Sequence, residues 1–502
     1  MSPLMSIDLD HPTGNFWVDN GLVVLIREFG EGVYEADEVL KWLLDKLVQK
    51  TGNKGEYYDE AIGQLCEYEK TNWAYPTNQF IKVAGGSEKK VEIDGKKYPT
   101  QPPEFELKLK LSKNPAICDL CGEQSLITDA KMWMFPFIVD PSKFGNFYSG
   151  AKRGVRLCSR CALAGLAGYL GWLWKAQGRD ALHFFVFHSD LRTIERLQRE
   201  VFQPLTIKNE KSGNAPVAFS GPYIHETTLG LLFALFSHIH QSEQLSEEGR
   251  KCLAEIFGVG ITNTAPPPIV LYAVTGTPGN AFDMKVFREF TKLHSLYRLY
   301  EKWIDEITQK KISDNPAKHV ATVFRQFETQ RGNKRETLWR DKIAQAILEF
   351  DDPFPFVEKF LFESRVKEKN PRPLVWGTMD IFNIYLKEVL GMDEQFQRTL
   401  AGFGYTLGKM ARENNDMGLL YALRNAKNPE EFYRVLNDAQ FRLEMTVPEA
   451  LLKIEKGERI SGAPWVRVKT LLSIYAMNAF LRESAKQQKE EIQTSKEGVI
   501  DE

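Results

Sequence analysis

The sequence predicts an α+β fold: a mixed N-terminal region that carries a four-cysteine insertion, followed by an all-helical C-terminal bundle. Two Cys-x-x-Cys pairs mark the insertion, and strand-like apolar runs alternate with helical patterns around it. From residue 376 onward, amphipathic segments are separated only by short Gly, Asn or Pro joints, which is typical of a bundle. We therefore expect a large domain over 1–375 with its insertion at 115–165, a bundle over 376–484 and a flexible tail over 485–502.

Composition limits the classes of protein that the chain can belong to. Its 502 residues suffice for more than one core, and 43% hydrophobic with 12% aromatic residues indicate folded protein. The formal net charge is only −2, so any surface for nucleic acid must come from local clusters of Lys and Arg. No uninterrupted apolar run approaches about 18 residues, and the first residues lack a secretory signal pattern. We expect a cytoplasmic protein with no membrane partner.

The N-terminal third contains two helical patterns and one hairpin pattern. Leucines and valines recur at helical spacing within residues 35–50, and a second helix is predicted over 56–70. A lysine-rich segment over 89–98 contains Asp94-Gly95, a dipeptide that favours a tight hairpin turn. Lysines on such a hairpin can contact phosphate or protect a free strand edge.

Two cysteine pairs, Cys118/Cys121 and Cys158/Cys161, give the strongest chemical signal in the chain. Four thiolates in two such pairs form a tetrahedral cage for one Zn²⁺, and a closed cage is typical of a structural site. The 36 residues between the pairs exceed the usual separation of about 15 to 20. Doubling a loop costs only about 0.6 kcal/mol, whereas zinc binding supplies on the order of 10 kcal/mol. The sequence therefore predicts a structural zinc site with an unusually long insert.

The middle of the chain predicts alternating strands and helices. A small-residue helix over 162–174 precedes a buried strand over 182–187, and Asp190 is placed to cap the next helix. A loop and a strand are expected over 258–272, and residues 281–365 are predicted to be mostly helical. The bundle helices are expected at 379–390, 393–412, 417–426, 430–442, 447–455 and 464–482.

Basic residues concentrate in two stretches that we predict to contact nucleic acid. Residues 140–160 carry five Lys or Arg against one Asp, interleaved with aromatic residues and glycines, and 306–342 carry nine basic against five acidic residues. Amide and basic side chains reach base edges, whereas other basic residues contact the backbone. Solvated surface faces are the alternative interpretation of both stretches. The candidates for base or groove contact are Asn78, Gln79, Asn146, Lys152 and Arg153, and the candidates for backbone contact are Arg331, Lys334, Arg335 and Arg340. Lys143 and Arg156 complete the predicted DNA-binding set.

Three features together resemble one known family. The chain opens on Gly14-Asn15-Phe16-Trp17-Val18-Asp19-Asn20-Gly21, the two cysteine pairs are widely separated, and the last third is helical. The combination resembles the CRISPR-associated CXXC–CXXC protein, the large subunit of the type I-B Cascade surveillance complex. Trp17 stands where phenylalanine is frequent in that family.

The resemblance implies a non-catalytic role in antiviral defence or RNA-guided transposition. It implies a subunit that recognises the protospacer-adjacent motif on double-stranded target DNA and supports R-loop formation. The implied partners are crRNA, the Cascade backbone and small subunits, and a helicase-nuclease or transposition proteins. The C-terminal bundle resembles a Cascade small subunit.

Two other classes of protein stay open. A free-standing zinc-ribbon factor that binds nucleic acid would also carry paired cysteines. A zinc-dependent nuclease would need an open metal position or clustered carboxylates and histidines, and the sequence contains no HExxH motif. Disulfide redox chemistry needs only one Cys-x-x-Cys pair, and nothing near either pair resembles a thioredoxin unit.

Overall fold

The computed structural model describes residues 3–73, 83–84, 89–102, 104–105, 109–131, 134–135, 154–177, 181–207, 214–259, 267–277, 283–331 and 334–497. The chain forms two compact units, Met1–Pro216 with Ser237–His294, and Val217–Phe236 with Ser295–Glu502. Both strands and helices are present, and the paired strands of the described residues form small antiparallel sheets. The predicted boundary at residue 375 lies inside the second unit, so an independent domain over 376–484 stays a prediction.

The first unit combines a four-stranded antiparallel sheet, formed in this order by Leu173–Gln177, Ala181–His188, Val270–Thr277 and Asp283–Phe290, with short hairpins and helices. Its elements are β1 Leu4–Ile7, α1 Phe16–Phe29, β2 Gly32–Glu35, α2 Ala36–Leu47, β3 Val48–Asp59, β4 Gln64–Trp73, β5 Val83–Ala84, β6 Lys90–Ile93, β7 Lys96–Pro99, β8 Glu104–Phe105, β9 Ala116–Ile117, β10 Gln124–Ser125, β11 Ile127–Asp129, β12 Arg156–Cys158, α3 Ser159–Gly171, β13 Leu173–Gln177, β14 Ala181–His188, α4 Leu191–Leu197, α5 Gln203–Ile207, α7 Glu247–Ile256, β15 Val270–Thr277 and β16 Asp283–Phe290.

Helices dominate the second unit. It contains most of α6 Ile224–His240 and of α8 Leu293–Gln309, followed by α9 Pro316–Arg325, β17 Thr329–Arg331, β18 Lys334–Glu336, α10 Leu338–Glu349, α11 Phe354–Lys359, α12 Thr378–Glu388, α13 Glu394–Glu413, α14 Met417–Asn425, α15 Pro429–Leu443, β19 Arg459–Ile460, β20 Ala463–Pro464 and α16 Trp465–Glu497. None of the helices in the described part of the chain is both long and apolar enough to span a bilayer.

Helix α1 packs closely on α3, and its sequence explains why. Asn15 caps α1 by accepting from the backbone N–H groups of Trp17 and Val18. A Cβ atom on Gly21 would lie 1.8 Å from the carbonyl oxygen of Ala164, so only glycine permits this approach. The Trp17 indole fills the space beside α3 and donates to the carbonyl oxygen of Gly165 at 2.6 Å. Gly21 and Trp17 of the opening motif therefore hold α1 against α3.

Several predicted elements of the first unit are confirmed. Helix α2 covers the expected segment within 35–50, and β14 is the expected strand, buried from Ala181 to Phe187. Asp190 caps α4 by accepting from the backbone N–H of Thr193. The hairpin predicted around Asp94-Gly95 forms as β6 and β7.

The helix predicted over 56–70 is wrong, because β3 and β4 form an antiparallel hairpin there. Gly63 closes the turn with a φ of +66°, a conformation that a helix does not use. Charged side chains on opposite strands pair across the ladder, as Lys54 does with Glu67 at 2.6 Å. Cross-strand pairing, which a helical count of apolar positions ignores, decides the structure of this segment.

The helical predictions of the second unit need one correction and one extension. Residues 281–365 are mostly helical, as predicted, and also include strand β16 of the first unit and strands β17 and β18 of the second. The helix predicted over 447–455 is reduced to a 3₁₀ turn at Glu449–Leu451, followed by the short β19–β20 hairpin. The last helix, α16, continues to Glu497, through much of the segment expected to be a flexible tail. The four other predicted bundle helices correspond to α12, α13, α14 and α15.

Candidate metal centre and nucleic-acid interface

Four cysteine side chains, Cys118, Cys121, Cys158 and Cys161, converge on one point, with their sulfur atoms all within 4.8 Å of one another. Cys118, Cys158 and Cys161 are buried and Cys121 is half-buried. The sulfurs of Cys121 and Cys158 lie 3.7 Å apart. A tetrahedral ion with metal–sulfur distances of about 2.3 Å places its sulfurs about 3.8 Å apart, so the four thiols fit a single metal ion.

The first cysteine pair lies in a tight turn between β9 and β10. The backbone N–H of Cys118 donates to the carbonyl oxygen of Glu123 at 2.9 Å, and that of Gly122 donates to the carbonyl oxygen of Cys118 at 3.0 Å. Gly122 has a φ of +76°, which a residue with a Cβ adopts only at a cost. The glycine after the second cysteine therefore lets the chain turn so that both sulfurs face the same point.

The second pair lies where strand β12 passes into helix α3. Cys158 is the N-cap residue of α3, and its sulfur accepts from the backbone N–H of Cys161 at 3.4 Å. Strand β12 pairs with β11, which places Cys158 opposite Ile127, close after the first pair. This strand pairing closes the 36-residue separation, so a long insert leaves the cage intact.

The thiols perturb one another strongly. Hydrogen bonding from the Cys158 thiol lowers the pKa of Cys118, whereas hydrogen bonding with Cys118 raises the pKa of Cys158 to about 12. The pKa of Cys161 is raised for the same reason, and hydrogen bonding with Cys161 lowers the pKa of Cys121 to about 7. Four adjacent thiolates repel one another, and a cation at their centre removes that repulsion.

Arginines beside the cluster are tied to the polypeptide. Arg156 donates its backbone N–H to Asp119 at 2.7 Å, and its guanidinium lies 3.7 Å from the same carboxylate. Arg160 is buried, donates to the carbonyl oxygen of His11 and lies 4.0 Å from Glu123. Arg156 joins the first cysteine turn to β12, and its side chain, 30% exposed, is only partly accessible to a nucleic acid.

The predicted contact residues of the insert and of the loop before it lie outside the described residues. They are Asn78, Gln79, Lys143, Asn146, Lys152 and Arg153. Their assignment to DNA stays a prediction from sequence. In the described part of the insert, Arg156 is the only predicted contact residue, and it lies at the end nearest to Cys158.

The second predicted patch divides into exposed and buried arginines. Arg331 and Lys334 face each other in the register of the β17–β18 hairpin. Arg335 has a side chain that is 77% exposed and lies 3.8 Å from Glu328. Counting basic residues in the sequence does not distinguish the accessible Arg335 from the buried Arg340.

Arg340 must be withdrawn from the predicted backbone contacts, because its side chain is only 4% exposed. Its Nε donates to the buried carboxylate of Glu226, and its Nη2 donates to the carbonyl oxygen of Ser220 at 3.1 Å. Nη1 lies within 3.4 Å of Glu328. Five N–H donors on a planar fork suit such a buried network, which gives Arg340 a structural role.

A basic groove in the second unit went unnoticed in the sequence. It has a volume of about 870 Å³, and its charged lining comprises two acidic residues, Glu328 and Glu368, and six basic ones: Arg325, Arg335, Arg365, Lys367, Lys369 and Arg372. The available signal was the run from 365 to 372, which carries four basic residues against one acidic residue.

Two of the three features behind the family resemblance meet in one part of the structure. The opening motif lies on α1, and the helix against which α1 packs, α3, starts directly after Cys158 and contains Cys161. A scan against protein-family models matched no family, and a search of curated proteins found no match. Among the described residues, the four cysteines are the one group of three or more His, Cys, Asp or Glu that could hold a metal ion.

Proposed function

We propose that this chain is the non-catalytic large subunit of a type I-B, crRNA-guided Cascade complex. In this role it recognises the protospacer-adjacent motif on double-stranded DNA, supports R-loop formation, and recruits a helicase-nuclease or transposition proteins. The observation that carries the proposal is the four-thiol cluster, whose Cys158 and Cys161 lie at the start of α3, the helix that packs against the opening motif. The opening motif and the cysteine pairs, two of the three features of the resemblance, thus meet at one helix.

The ion in this cluster is proposed to be Zn²⁺ with a structural role. Soft thiolate ligands in a tetrahedral arrangement suit zinc, and four protein ligands fill its coordination shell. A filled shell leaves no position for an activated water, which argues against zinc-dependent hydrolysis at this centre. One Zn²⁺ with four thiolates carries a net charge of −2, and Arg156 and Arg160 lie in the sequence beside two of the ligands.

The insert between the cysteine pairs is the proposed DNA-contacting element. The metal fixes both ends of residues 122–157, and this insert carries Lys143, Asn146, Lys152 and Arg153. In guide-dependent recognition, base pairing identifies most of the target, so the protein needs base contacts only at a short motif. A chain with a nearly neutral total charge and local basic clusters meets that requirement.

Expression of the chain together with its genomic neighbours tests the proposed complex. A Cascade large subunit should co-purify with crRNA and the backbone subunits through affinity and size-exclusion steps. Isolation of the chain free of RNA and of those subunits would favour the free-standing zinc-ribbon factor instead. Zinc content of the purified material would be the same in both cases, so co-purification separates the two functions.

Duplex binding tests the insert. Lys152→Ala with Arg153→Ala should weaken binding of a motif-containing duplex, and the salt slope should fall by about 2, because each phosphate contact contributes about 0.9. Lys453→Ala with Lys456→Ala is a matched control, because both lysines are exposed and lie between α15 and α16. An unchanged affinity and salt slope in the first variant would remove the insert from the DNA surface.

A further inference from the structure

The basic groove of the second unit carries a positive charge that the protein does not balance. Lys367, Lys369 and Arg372 are exposed, and among the described residues no acidic side chain lies within ion-pair distance of them. Arg325 and Arg335 are exposed on the other part of the same lining. Lys367, Lys369 and Arg372 therefore remain available to an anionic ligand, whereas Arg335 lies 3.8 Å from Glu328 and Arg325 donates to the carbonyl oxygen of Ala218 at 2.6 Å.

The acidic residues of the groove are already held by buried arginines. Arg365, whose side chain is 4% exposed, contacts Glu368 at 3.1 Å, and the equally buried Arg340 lies 3.4 Å from Glu328. Arg365 neutralises Glu368, whereas Glu328 is shared between Arg340 and the exposed Arg335. The basic residues of the lining outnumber the two carboxylates and dominate the surface potential of the groove.

An exposed tryptophan follows the groove in the sequence and in space. Trp376 is 62% exposed, and it lines a second cavity of about 230 Å³ that shares Val375 with the groove. The guanidinium of Arg482 lies 5.2 Å from the centre of its indole ring. Tyr405 and Asn478 also line this cavity, so an aromatic surface is combined with polar groups.

The backbone that carries Trp376 is held in place on both sides. Val375 donates its backbone N–H to Gln326 at 2.8 Å, and Leu374 donates its own to Asn478 at 2.7 Å. His319 Nε2 donates to the carbonyl oxygen of Trp376 itself at 2.8 Å. A large aromatic ring that is exposed on a fixed backbone is preorganised for stacking, because little chain entropy is lost when a ligand binds.

We propose that the basic groove and the Trp376 cavity form one binding site for a single-stranded nucleic acid. The basic residues bind successive phosphates, and one unstacked base lies on the Trp376 indole. This combination of a charged track with an aromatic platform is how proteins bind single strands irrespective of sequence. A duplex keeps its bases stacked inside, so it offers phosphates to the groove but no base to Trp376. This inference rests on the proposed function in one respect only, namely the choice of nucleic acid as the class of ligand.

The charge half of the proposal is tested with the full-length, zinc-loaded chain and fluorescently labelled dT12 and U12 oligonucleotides. Lys367→Ala, Lys369→Ala and Arg372→Ala are combined in one variant, and fluorescence anisotropy is recorded from low to moderate salt. The salt slope should fall by about 2, since each lost single-strand phosphate contact removes about 0.7. A matched triple variant, Lys427→Ala with Lys453→Ala and Lys456→Ala, removes three exposed lysines outside the groove and should bind as the parent does.

The stacking half is tested with Trp376→Ala. Loss of one base–aromatic stack should weaken binding between about 5-fold and about 150-fold, with the salt slope unchanged because no charge is lost. Trp376→Phe should restore most of the affinity. Phe441→Ala is the matched control, since Phe441 is a 79% exposed aromatic residue that does not line either cavity. Equal binding by the parent and Trp376→Ala would overturn the proposal.

Competition separates this site from the alternatives. Unlabelled dT12 or U12 should displace the probe, and the stronger competitor identifies DNA or RNA as the preferred strand. Equal displacement by polyglutamate or by a blunt duplex of the same length would overturn the proposal, because it would indicate a general polyanion surface. If duplex binding depends on Lys152 and Arg153 but not on the groove, the result agrees with both the proposed function and the single-strand site. If the chain binds dT12 or U12 through Trp376 yet never assembles with crRNA, only the proposed function fails.

Discussion

The cysteine cluster and the basic groove place charged groups in opposite surroundings. At the cluster, the thiols are mostly buried, and Arg156 and Arg160 are held by nearby carboxylates or a carbonyl oxygen. In the groove, Lys367, Lys369 and Arg372 are exposed, and buried arginines hold the neighbouring acidic groups. Buried and paired charge specifies structure, whereas exposed charge without a partner is available for binding.

This contrast also applies within short stretches of sequence. Arg335 and Arg340 are five residues apart and both were predicted to contact a phosphate backbone. Only Arg335 is accessible, because α10 directs Arg340 into the network of Glu226 and Ser220. A local excess of basic residues therefore does not distinguish an arginine that binds a ligand from one that supports the fold.

The largest effect is expected for the cluster. Cys118→Ser with Cys121→Ser should reduce zinc content to near zero and unfold much of the first unit, because structural zinc contributes on the order of 10 kcal/mol. Inductively coupled plasma mass spectrometry measures the zinc, and circular dichroism measures the folded fraction. The matched control is Cys66→Ser, which changes a cysteine outside the cluster and should retain a full equivalent of zinc.

Full zinc occupancy in the double variant would show that other residues hold the ion. Loss of zinc with retention of the complete fold would show that α1, α3 and the sheet of the first unit are stable without it. Either result would weaken the contrast between a structural centre and a binding groove.

The second effect concerns buried and exposed arginines in the second unit. Arg340→Met should destabilise the protein by about 3 to 5 kcal/mol, since it leaves the carboxylate of Glu226 buried without its partner. Arg335→Ala should change the free energy of unfolding by no more than about 0.5 kcal/mol, because its side chain is exposed. Urea denaturation measures both, and oligonucleotide affinity should fall for Arg335→Ala.

The pH dependence of Arg340→Met gives an internal check. Burial already raises the pKa of Glu226, and removal of Arg340 takes away an interaction that lowers it. The folded variant therefore binds a proton more tightly than the unfolded chain, so its stability rises as pH falls from neutral toward the unfolded pKa of the carboxyl. Adding Glu226→Gln should recover part of the loss at pH 7.5. A deficit that is independent of pH would exclude Glu226 as its source.

Local patterns made part of the fold predictable. The cysteine ligands follow from spacing alone, helix α2 from its periodic apolar residues, and Asp190 from its position before a helical segment. The β3–β4 hairpin was missed because its stability depends on pairing across strands, and apolar residues within 56–70 also suit a helical face. The local order of residues does not show whether the segment forms a helix or pairs across two strands.

The candidate sites show the same limit. The four cysteines lie in two short motifs, so their meeting could be anticipated, although the β11–β12 pairing that joins them could not. The groove is assembled from α9, the β17–β18 hairpin and the segment 365–373, and no single stretch contains it. The sequence also gave no indication that the Trp376 side chain is exposed, because its exposure depends on the helices around it.

The smallest effect tests whether Arg156 belongs to the metal centre or to the DNA surface. Arg156→Ala removes a half-exposed ion pair with Asp119, so the free energy of unfolding should fall by only about 0.2 to 1 kcal/mol. Asp119→Ala should cost about 1 to 3 kcal/mol, because it also removes the acceptor of the Arg156 backbone N–H. Thermal unfolding and chelator competition measure stability and zinc affinity in the two variants. If Arg156→Ala instead lowers duplex affinity as strongly as Lys152→Ala with Arg153→Ala, then Arg156 contributes to DNA binding. In that case its ion pair with Asp119 does not indicate a purely structural role.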